Sequence, residues 1–152
     1  MKLEQAIKSN KFKNETQKAA LNVLYTAWWL KTNMSKGLKE FGITHEQYNV
    51  LRILKGKYPD QICVRDIACR MIEKNSNVPR IVDRLEIKKL VKRTTSQLDK
   101  RETVISLTQA GILILEASTK SIDHTMETVT ILTEMESVQL NKLLEKLRSS
   151  EE

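Results

Sequence analysis

The stretch from Ile62 to Gly111 constrains the fold of this chain more than any other part of the sequence. It opens with Ile62-Cys63-Val64, which is too short for an independent strand and is expected to join a sheet formed elsewhere. A helix is predicted from about Arg65 to Ile72. The next helix has Asn75-Ser76 as cap candidates and Pro79 in its first turn, where a missing backbone N–H costs little.

Two β-prone segments follow these helices. Leu90 to Thr95 and Thr103 to Leu107 flank the polar tip Ser96–Glu102, a pattern that predicts a hairpin. Thr108 is then placed to cap another helix. The order of strand, helix, helix, hairpin and helix is that of a winged helix-turn-helix, in which the second helix can fill one groove of duplex DNA while the hairpin touches the next.

The helix that carries Pro79 has two faces of opposite character. Its apolar positions recur at i, i+3, i+4 and i+7 and form one face: Val78, Ile81, Val82 and Leu85. The polar face carries Ser76, Pro79, Arg80, Asp83 and Arg84. Ile87 departs from this partition, because it lies on the polar side near the helix end.

The positive charge is unevenly distributed. The net charge is +7, and residues 1–64 hold 11 Lys/Arg and 5 Asp/Glu, residues 65–103 hold 11 and 6, and residues 104–152 hold 4 and 8. A solvated basic surface without a partner is a common alternative. A polyanionic partner is favoured here because the surplus coincides with a groove-reading shape.

Several classes of protein and site are disfavoured. The 152 residues suit one domain, and no uninterrupted apolar run of about 18 residues or apolar leader is present, which predicts a cytoplasmic protein without a membrane partner. Cys63, Cys69, His45 and His124 lack zinc-site spacing, so no metal is expected and both thiols are predicted to be reduced and in the core. A glycine-rich phosphate loop, an elbow serine and a metal pattern are missing, so neither enzyme activity nor a cofactor is expected.

The flanking segments are helical and unusually apolar. Apolar residues crowd several faces of the predicted helix from Thr16 to Ser35: Leu21, Val23, Leu24, Ala27, Trp28, Trp29, Leu30 and Met34. Thr44 and Gln47 form a capping box for a helix that reaches about Lys57. Thr133 and Glu136 form another, ahead of a leucine-rich last helix: Leu140, Leu143, Leu144 and Leu147.

Taken together, these segments resemble the MarR family of bacterial transcriptional regulators over nearly the whole chain. The resemblance lies in three runs: Gly42 to Leu54, Asn77 to Glu86, and the wing segments Leu90-Val91-Lys92-Arg93, Asp99-Lys100-Arg101 and Ser106-Leu107-Thr108-Gln109-Ala110-Gly111. It implies a mainly α fold with about six helices and a two- to three-stranded antiparallel sheet. It also implies an intertwined homodimer, with residues 1–36 and 112–152 as dimerisation helices and residues 43–111 as the DNA-binding winged helix-turn-helix. Coverage of the monomer's own core by the flanking helices is the alternative.

The recognition helix supplies the first group of predicted DNA contacts. Ser76, Asn77 and Pro79 lie in its N-terminal turn, where free backbone N–H groups and the helix dipole favour phosphate oxygens. Arg80 is predicted to contact guanine, since a guanidinium can donate two hydrogen bonds to that base, and Arg84 to contact a base or a phosphate. The alternative is that these arginines only pair with nearby carboxylates, for which the candidates are Glu73, Asp83 and Glu86.

The wing supplies the second group. The family pattern places an acidic residue two positions before an arginine that enters the minor groove, and Asp99 and Arg101 match it. Asp99 is expected to orient rather than to bind DNA, and Lys100 and Arg93 to contact phosphates. A turn charged only for solubility is the alternative. Lys89 stands where a glycine is usual, so either Lys89 adopts a left-handed conformation or the turn differs.

Regulation by a small aromatic effector is also implied by the resemblance. Residues that could line an effector pocket are Tyr25, Trp28, Trp29, His45 and Tyr48. Core or interface packing is the favoured alternative for these side chains. The combined expectation is a homodimeric DNA-binding regulator, a repressor by family analogy, that acts on a pseudo-palindromic operator. The alternative function is a winged-helix module that binds an acidic protein.

Overall fold

The computed structural model describes residues 1–97 and 99–149. Two predicted segments extend beyond these ranges: the hairpin tip includes Leu98, and the C-terminal dimerisation segment includes residues 150–152. The helices are α1 Leu3–Ala6, α2 Glu15–Leu38, α3 His45–Lys55, α4 Val64–Arg70, α5 Val78–Ile87, α6 Gln109–Val129 and α7 Glu134–Leu147, with a short 3-10 turn at Lys39–Phe41. The strands are β1 Ile62–Cys63, β2 Val91–Thr95 and β3 Thr103–Leu107.

The predicted caps begin three of these helices. The Thr44 hydroxyl accepts a hydrogen bond from the Gln47 N–H at 3.3 Å, while Gln47 Oε1 accepts from the Thr44 N–H at 3.1 Å. Thr133 caps α7 with the same reciprocal pair of bonds to Glu136, whereas Thr108 caps α6 by accepting a hydrogen bond from the Gly111 N–H alone. Each cap satisfies N–H groups that the first turn of a helix leaves without a partner. The α3 helix ends at Lys55, two residues before the predicted end.

A single antiparallel sheet joins the strands in the order β1-β3-β2. Ile62 of β1 and Arg93 of β2 both pair with Ile105 of β3, so the hairpin extends away from the short first strand. The predicted mainly α fold with a small antiparallel wing is confirmed.

The core lies where α3, α4 and α5 meet the sheet. Buried positions on α5 include Val78, Val82 and Leu85, which confirms the predicted apolar face, with Ile81 partly buried beside it. The polar face is exposed, and Ile87 at its end is 80% exposed. Because α5 buries only one face, its polar face stays free for a partner.

The entry into the wing depends on two unusual backbone positions. Lys89 has φ 58°, so it adopts the left-handed conformation in place of the usual glycine. The Thr108 hydroxyl donates to the Lys89 carbonyl at 2.7 Å, and the Leu90 carbonyl accepts from the Thr108 N–H at 3.1 Å. A Cβ at Gly111 would lie 2.0 Å from the Leu90 carbonyl oxygen, so a side chain does not fit there. The wing is therefore held directly against the start of α6.

The outer helices leave much apolar surface uncovered. On α2, Leu24 and Trp28 are 67% and 59% exposed, and Leu38 is the residue that this helix buries. No residue of α7 is buried, and Met135 and Leu143 are 78% and 65% exposed. The alternative that these helices only cover the monomer's own core is therefore wrong for α7.

The two cysteines differ in environment. Both thiols are free, but Cys63 is buried whereas Cys69 is exposed, so the prediction of two core thiols is wrong for Cys69. Position 69 lies two residues from the buried Ile67, which puts it on the opposite side of α4. In the described part of the chain, each helix is too short or too polar to span a bilayer.

Candidate nucleic-acid interface

The recognition helix α5 begins one residue later than the predicted caps imply. Asn77, rather than Asn75 or Ser76, is its cap, and Asn77 Oδ1 accepts a hydrogen bond from the Arg80 N–H at 3.1 Å. The Val78 N–H donates to the Ser76 carbonyl at 3.0 Å, and Pro79 has no N–H. The expected row of free backbone donors is therefore largely occupied within the chain, which leaves the helix dipole and side chains to attract phosphate.

Ser76 also differs from the other predicted contacts. Its hydroxyl is shielded from solvent and has no hydrogen-bond partner within residues 1–97 and 99–149. Asn77, Pro79 and Arg80 are exposed. Access to a phosphate is thus direct for these three residues and requires a local rearrangement for Ser76.

Arg80 and Arg84 remain free cations on the exposed face of α5. The carboxylates considered as their partners have other partners: Asp83 and Glu86 pair with Arg93, and Glu73 pairs with Lys31 at 2.5 Å. Neither Arg80 nor Arg84 makes an ion pair in the described residues. Both line an open groove together with Thr44, Glu46, Gln47, Glu73, Ser76, Asn77 and Ile81. Two arginines without counterions beside a groove suit the recognition of a polyanion.

The wing tip is closed by backbone hydrogen bonds. The Ser96 N–H donates to the Glu102 carbonyl at 2.9 Å, and the Glu102 N–H donates to the Asp99 carbonyl at 2.9 Å. Asp99 Oδ1 accepts from the Arg101 N–H at 2.9 Å, a local side-chain to backbone turn. The side chains of Lys100 and Arg101 are exposed. The described residues of the tip therefore present two exposed cations.

Arg93 lies at the base of the wing and faces α5. It forms an ion pair with Asp83, its Nη1 lies 3.6 Å from Glu86 Oε2, and its Nη2 donates to the Pro79 carbonyl at 3.3 Å. Its side chain is 30% exposed. Its predicted contact with phosphate stays a prediction, and the geometry gives it partners within the chain.

Two lysines that the sequence did not single out position the helices. Lys88 Nζ donates to the Gly42 carbonyl and to Gln47 Oε1, the latter at 3.2 Å, and so ties the end of α5 to the start of α3. Lys31 Nζ on α2 lies 3.2 Å from Glu46 Oε1 and 2.5 Å from Glu73 Oε1. The hydrogen bond to Glu73 is the main cause that raises the pKa of Lys31. Local periodicity carries no signal for such contacts, because the partners are more than ten residues apart.

The same cluster contains three donor groups of the kind that bind metals. His45, Glu46 and Glu73 present ligand atoms within 4.8 Å of one another. The ammonium of Lys31 already lies against both carboxylates and neutralises much of their charge. We therefore assign this cluster to the link between α2 and the helix-turn-helix.

The five effector candidates do not share one pocket. Tyr25 and Trp29 line a cavity with Met1, Leu3, Asn22 and Thr26. His45 borders a different groove, and Tyr48 is buried in the core with its hydroxyl 3.1 Å from Thr119 Oγ1. Trp28 is largely exposed, with its ring centroid 5.4 Å from that of Tyr25. Within one chain these side chains therefore border separate cavities, lie in the core or are exposed, and a shared effector pocket stays a prediction.

Comparison with known proteins agrees with the fold. The MarR family is matched over residues 43–103, which covers the helix-turn-helix and most of the wing. The HTH-type transcriptional regulator PrsX of Escherichia coli is 33% identical over 90 residues, which are 59% of this chain and 54% of PrsX. The chain thus spans about half the length of that curated relative. The HTH-type transcriptional regulator MgrA of Staphylococcus aureus is 28% identical over 113 residues, which are 74% of this chain and 75% of MgrA.

A solved structure extends the likeness to nearly the full chain. The crystal structure of the S. aureus MepR-DNA complex is similar with a TM-score of 0.77 and 30% identity, over 92% of this chain and 99% of the MepR chain. The relatives are regulators, in agreement with the prediction that the chain is not an enzyme. The winged helix-turn-helix, the free arginines of its recognition helix and these similarities together establish that the chain belongs to the MarR family of transcriptional regulators.

Proposed function

We propose that this protein is a homodimeric transcriptional repressor that binds duplex DNA with α5 in the major groove and the wing in the minor groove. The observation that carries the proposal is the pair Arg80 and Arg84, which project from α5 without counterions in the described residues. The exposed Lys100 and Arg101 extend the same positive surface at the wing. The MepR structure supports this reading because that relative was crystallised with DNA.

The contacts within the interface have different roles. Arg80 reads a guanine edge, and Arg84 contacts a base or a phosphate. Asn77 and Lys100 contact phosphates, Pro79 packs against the backbone of the duplex without a hydrogen bond, and Arg101 enters the minor groove. Such phosphate contacts supply affinity, whereas the base contact supplies sequence preference.

Dimerisation is supported by the uncovered apolar surface of α2 and α7. Exposed apolar side chains on these helices and just before α7 include Leu24, Trp28, Ile131, Met135, Leu143 and Leu147. An apolar surface of this extent favours burial against a second copy, with residues 1–36 and 112–152 as the dimerisation segments. A two-fold symmetric dimer then requires a pseudo-palindromic operator with half-sites about one helical turn apart. Leu143→Glu should yield a monomer in light scattering, with Glu145→Gln on the same helix as a control that stays dimeric.

Salt dependence of DNA binding tests the central claim. A dimer that neutralises several phosphates should lose affinity for random duplex DNA with a log–log slope of roughly −0.9 per phosphate contacted. Footprinting upstream of the protein's own gene should then locate a protected pseudo-palindrome. A flat salt response would instead favour the alternative function, a winged-helix module that binds an acidic protein. A reporter placed under the protected promoter tests repression, which should be relieved when Arg80 and Arg84 are replaced by alanine.

Release by a small aromatic effector is a second, separable part of the proposal. The cavity of about 330 Å³ beside Tyr25 and Trp29 is the supporting observation, since two aromatic side chains line it together with Leu3. Titration with salicylate should quench tryptophan fluorescence and weaken operator binding, and Trp29→Leu should remove both effects. Unchanged fluorescence and unchanged operator binding over the whole titration would contradict effector binding at this cavity.

The proposed function also implies a cellular location. A protein that binds chromosomal DNA in a bacterium acts in the cytoplasm.

A further inference from the structure

Arg93 connects the wing to both ends of the recognition helix. Its guanidinium contacts the Pro79 carbonyl and Asp83, and its backbone N–H donates to Glu86 Oε1 at 3.3 Å. Pro79, Asp83 and Glu86 are spaced i, i+4 and i+7, so they share the side of α5 that faces β2. Contacts seven residues apart span about 10 Å of helix axis at 1.5 Å per residue.

We propose that Arg93 is a positioning residue for DNA binding, which orients the wing relative to α5 and keeps the carboxylate of Asp83 away from Arg80. The inference rests on the DNA-binding function proposed above. It differs from the sequence-based prediction, in which Arg93 contacts a phosphate.

The orientation follows from the chemistry of the guanidinium. Arg93 uses Nη2 for both Asp83 and the Pro79 carbonyl, and Nη1 faces Glu86 at 3.6 Å. A planar fork with several donors holds these groups in one geometry, whereas the single ammonium of lysine does not. Arg93 is also a residue of β2 and pairs with Ile105 of β3, so its contacts with α5 hold the two wing strands in position relative to that helix.

The electrostatic role follows from the spacing on α5. Asp83 lies three residues after Arg80, and Glu86 lies two residues after Arg84, so the first of these pairs is at a distance that permits an ion pair along the helix. With Arg93 removed, Asp83 would be released to pair with Arg80. Both carboxylates would also retain their negative charge next to the DNA phosphates, which repels the duplex.

A double-mutant cycle distinguishes positioning from phosphate contact. In the wild-type background we expect Arg93→Gln to weaken operator binding about tenfold. In a background that already carries Asp83→Asn and Glu86→Gln, the same substitution should weaken binding less than about threefold, because the ion pairs between Arg93 and these two carboxylates are already absent. A phosphate contact predicts the same loss in both backgrounds and a salt slope lower by about 0.9. That result would overturn the proposal.

Arg93→Lys provides the second variant, because it keeps the charge and is less disruptive to folding. If the forked guanidinium positions the wing, Arg93→Lys should recover less than half of the binding free energy that Arg93→Gln loses. If Arg93 contacts a phosphate, Arg93→Lys should recover nearly all of it. Circular dichroism confirms that each variant is folded. Wild-type protein that does not bind duplex DNA at low salt would contradict the proposed function itself, whereas wild-type binding without coupling between Arg93 and the two carboxylates contradicts only this inference.

Discussion

Asp99 Oδ1 accepts a hydrogen bond from the backbone N–H of Arg101 at 2.9 Å, so the carboxylate holds the turn between these two residues, and the guanidinium makes no ion pair within residues 1–97 and 99–149. The sequence predicts that Asp99 orients Arg101. In the structure, Asp99 contacts the backbone of Arg101 rather than its guanidinium, so we expect any orienting effect to act through the turn. This arrangement differs from an ion pair, in which the carboxylate would compete with DNA for the same guanidinium.

Substitutions at Asp99 should separate the effect of its hydrogen bond on the turn from the effect of its negative charge near DNA. Asp99→Asn retains an oxygen that accepts the Arg101 N–H, so we expect operator affinity equal to or above that of the wild type. Asp99→Ala removes the acceptor and should weaken binding by about 1 kcal/mol, although it also removes a negative charge near DNA. Fluorescence anisotropy with an operator duplex measures both. Stronger binding by the alanine variant would show that charge, and not the turn, dominates at this position.

Arg80→Ala should relax base preference at one position in each half-site and cost roughly 1–3 kcal/mol on the preferred operator. The reason is that a guanidinium donates two hydrogen bonds to guanine, and Arg80 has no competing counterion in the described residues. A binding-site selection measures the preference, with Arg148→Ala beyond the end of α7 as the control. The same selected sequence for the variant and the wild type would refute base reading by Arg80.

Arg101→Ala should weaken binding most on operators with A·T-rich flanks. Such flanks narrow the minor groove and concentrate negative potential there, which favours an inserted arginine. Competition between duplexes that differ only in their flanks measures the difference. An equal loss on G·C-rich flanks would mean that Arg101 stays outside the groove.

Gly111→Ala should destabilise the fold by about 1–3 kcal/mol. An added Cβ would lie 2.0 Å from the Leu90 carbonyl oxygen, so the wing or α6 must move. Gly56→Ala is the matched control, since a Cβ there meets its nearest atoms at 3.6 Å and its φ is −66°. We expect this control to be neutral or slightly stabilising. Urea unfolding of both variants measures the free energies, and equal values would contradict the close approach.

The stability contributed by Glu46 should be lost in acid. Burial raises the pKa of this carboxyl, but its own backbone N–H, the Thr44 hydroxyl and Lys31 together bring it below the ordinary value of 4.5. A lowered pKa stabilises the fold above pH 4.5, and this contribution disappears as pH falls through the folded-state value. Glu46→Gln should therefore cost less than about 1 kcal/mol at pH 7 and nothing in strong acid.

Chemical unfolding at several pH values measures this dependence. Lys31→Met should reduce the difference between wild type and Glu46→Gln, because it removes one of the causes of the lowered pKa. A difference that is independent of pH would indicate that the substitution acts through packing and not through the charge of Glu46.

Local sequence signals predicted most of the fold and part of the site. Thr44, Thr108 and Thr133 act on N–H groups within three residues, so their caps can be read without knowing the rest of the chain. The apolar spacing of α5 likewise predicts which of its faces is buried and that Arg80 and Arg84 lie on the other. Even the positive φ of Lys89 was one of two alternatives that the sequence offered.

The positions of the effector candidates relative to one another could not be predicted from local sequence signals. Tyr25, Trp29, His45 and Tyr48 are aromatic positions on neighbouring helices, and their shared chemistry suggests a shared pocket. Their separation depends on the rotation of α2 relative to α3, which no local pattern encodes. The exposure of Cys69 has a different origin, because it follows from the position of this residue on the side of α4 opposite the buried Ile67.

The sequence by itself determined the order of the main elements, the caps of α3, α6 and α7 and the cationic face of the recognition helix, because those features arise from interactions between residues three or four positions apart. Only the tertiary structure decided which carboxylate each cation binds. Arg93 pairs with Asp83 and Glu86, and Lys31 pairs with Glu46 and Glu73, whereas Arg80 and Arg84 have no ion pair among the residues that the structure describes. Ion pairs between distant segments depend on how the segments pack, and several partners of equal charge compete for each cation. Packing resolves that competition, and the result leaves two arginines available for DNA.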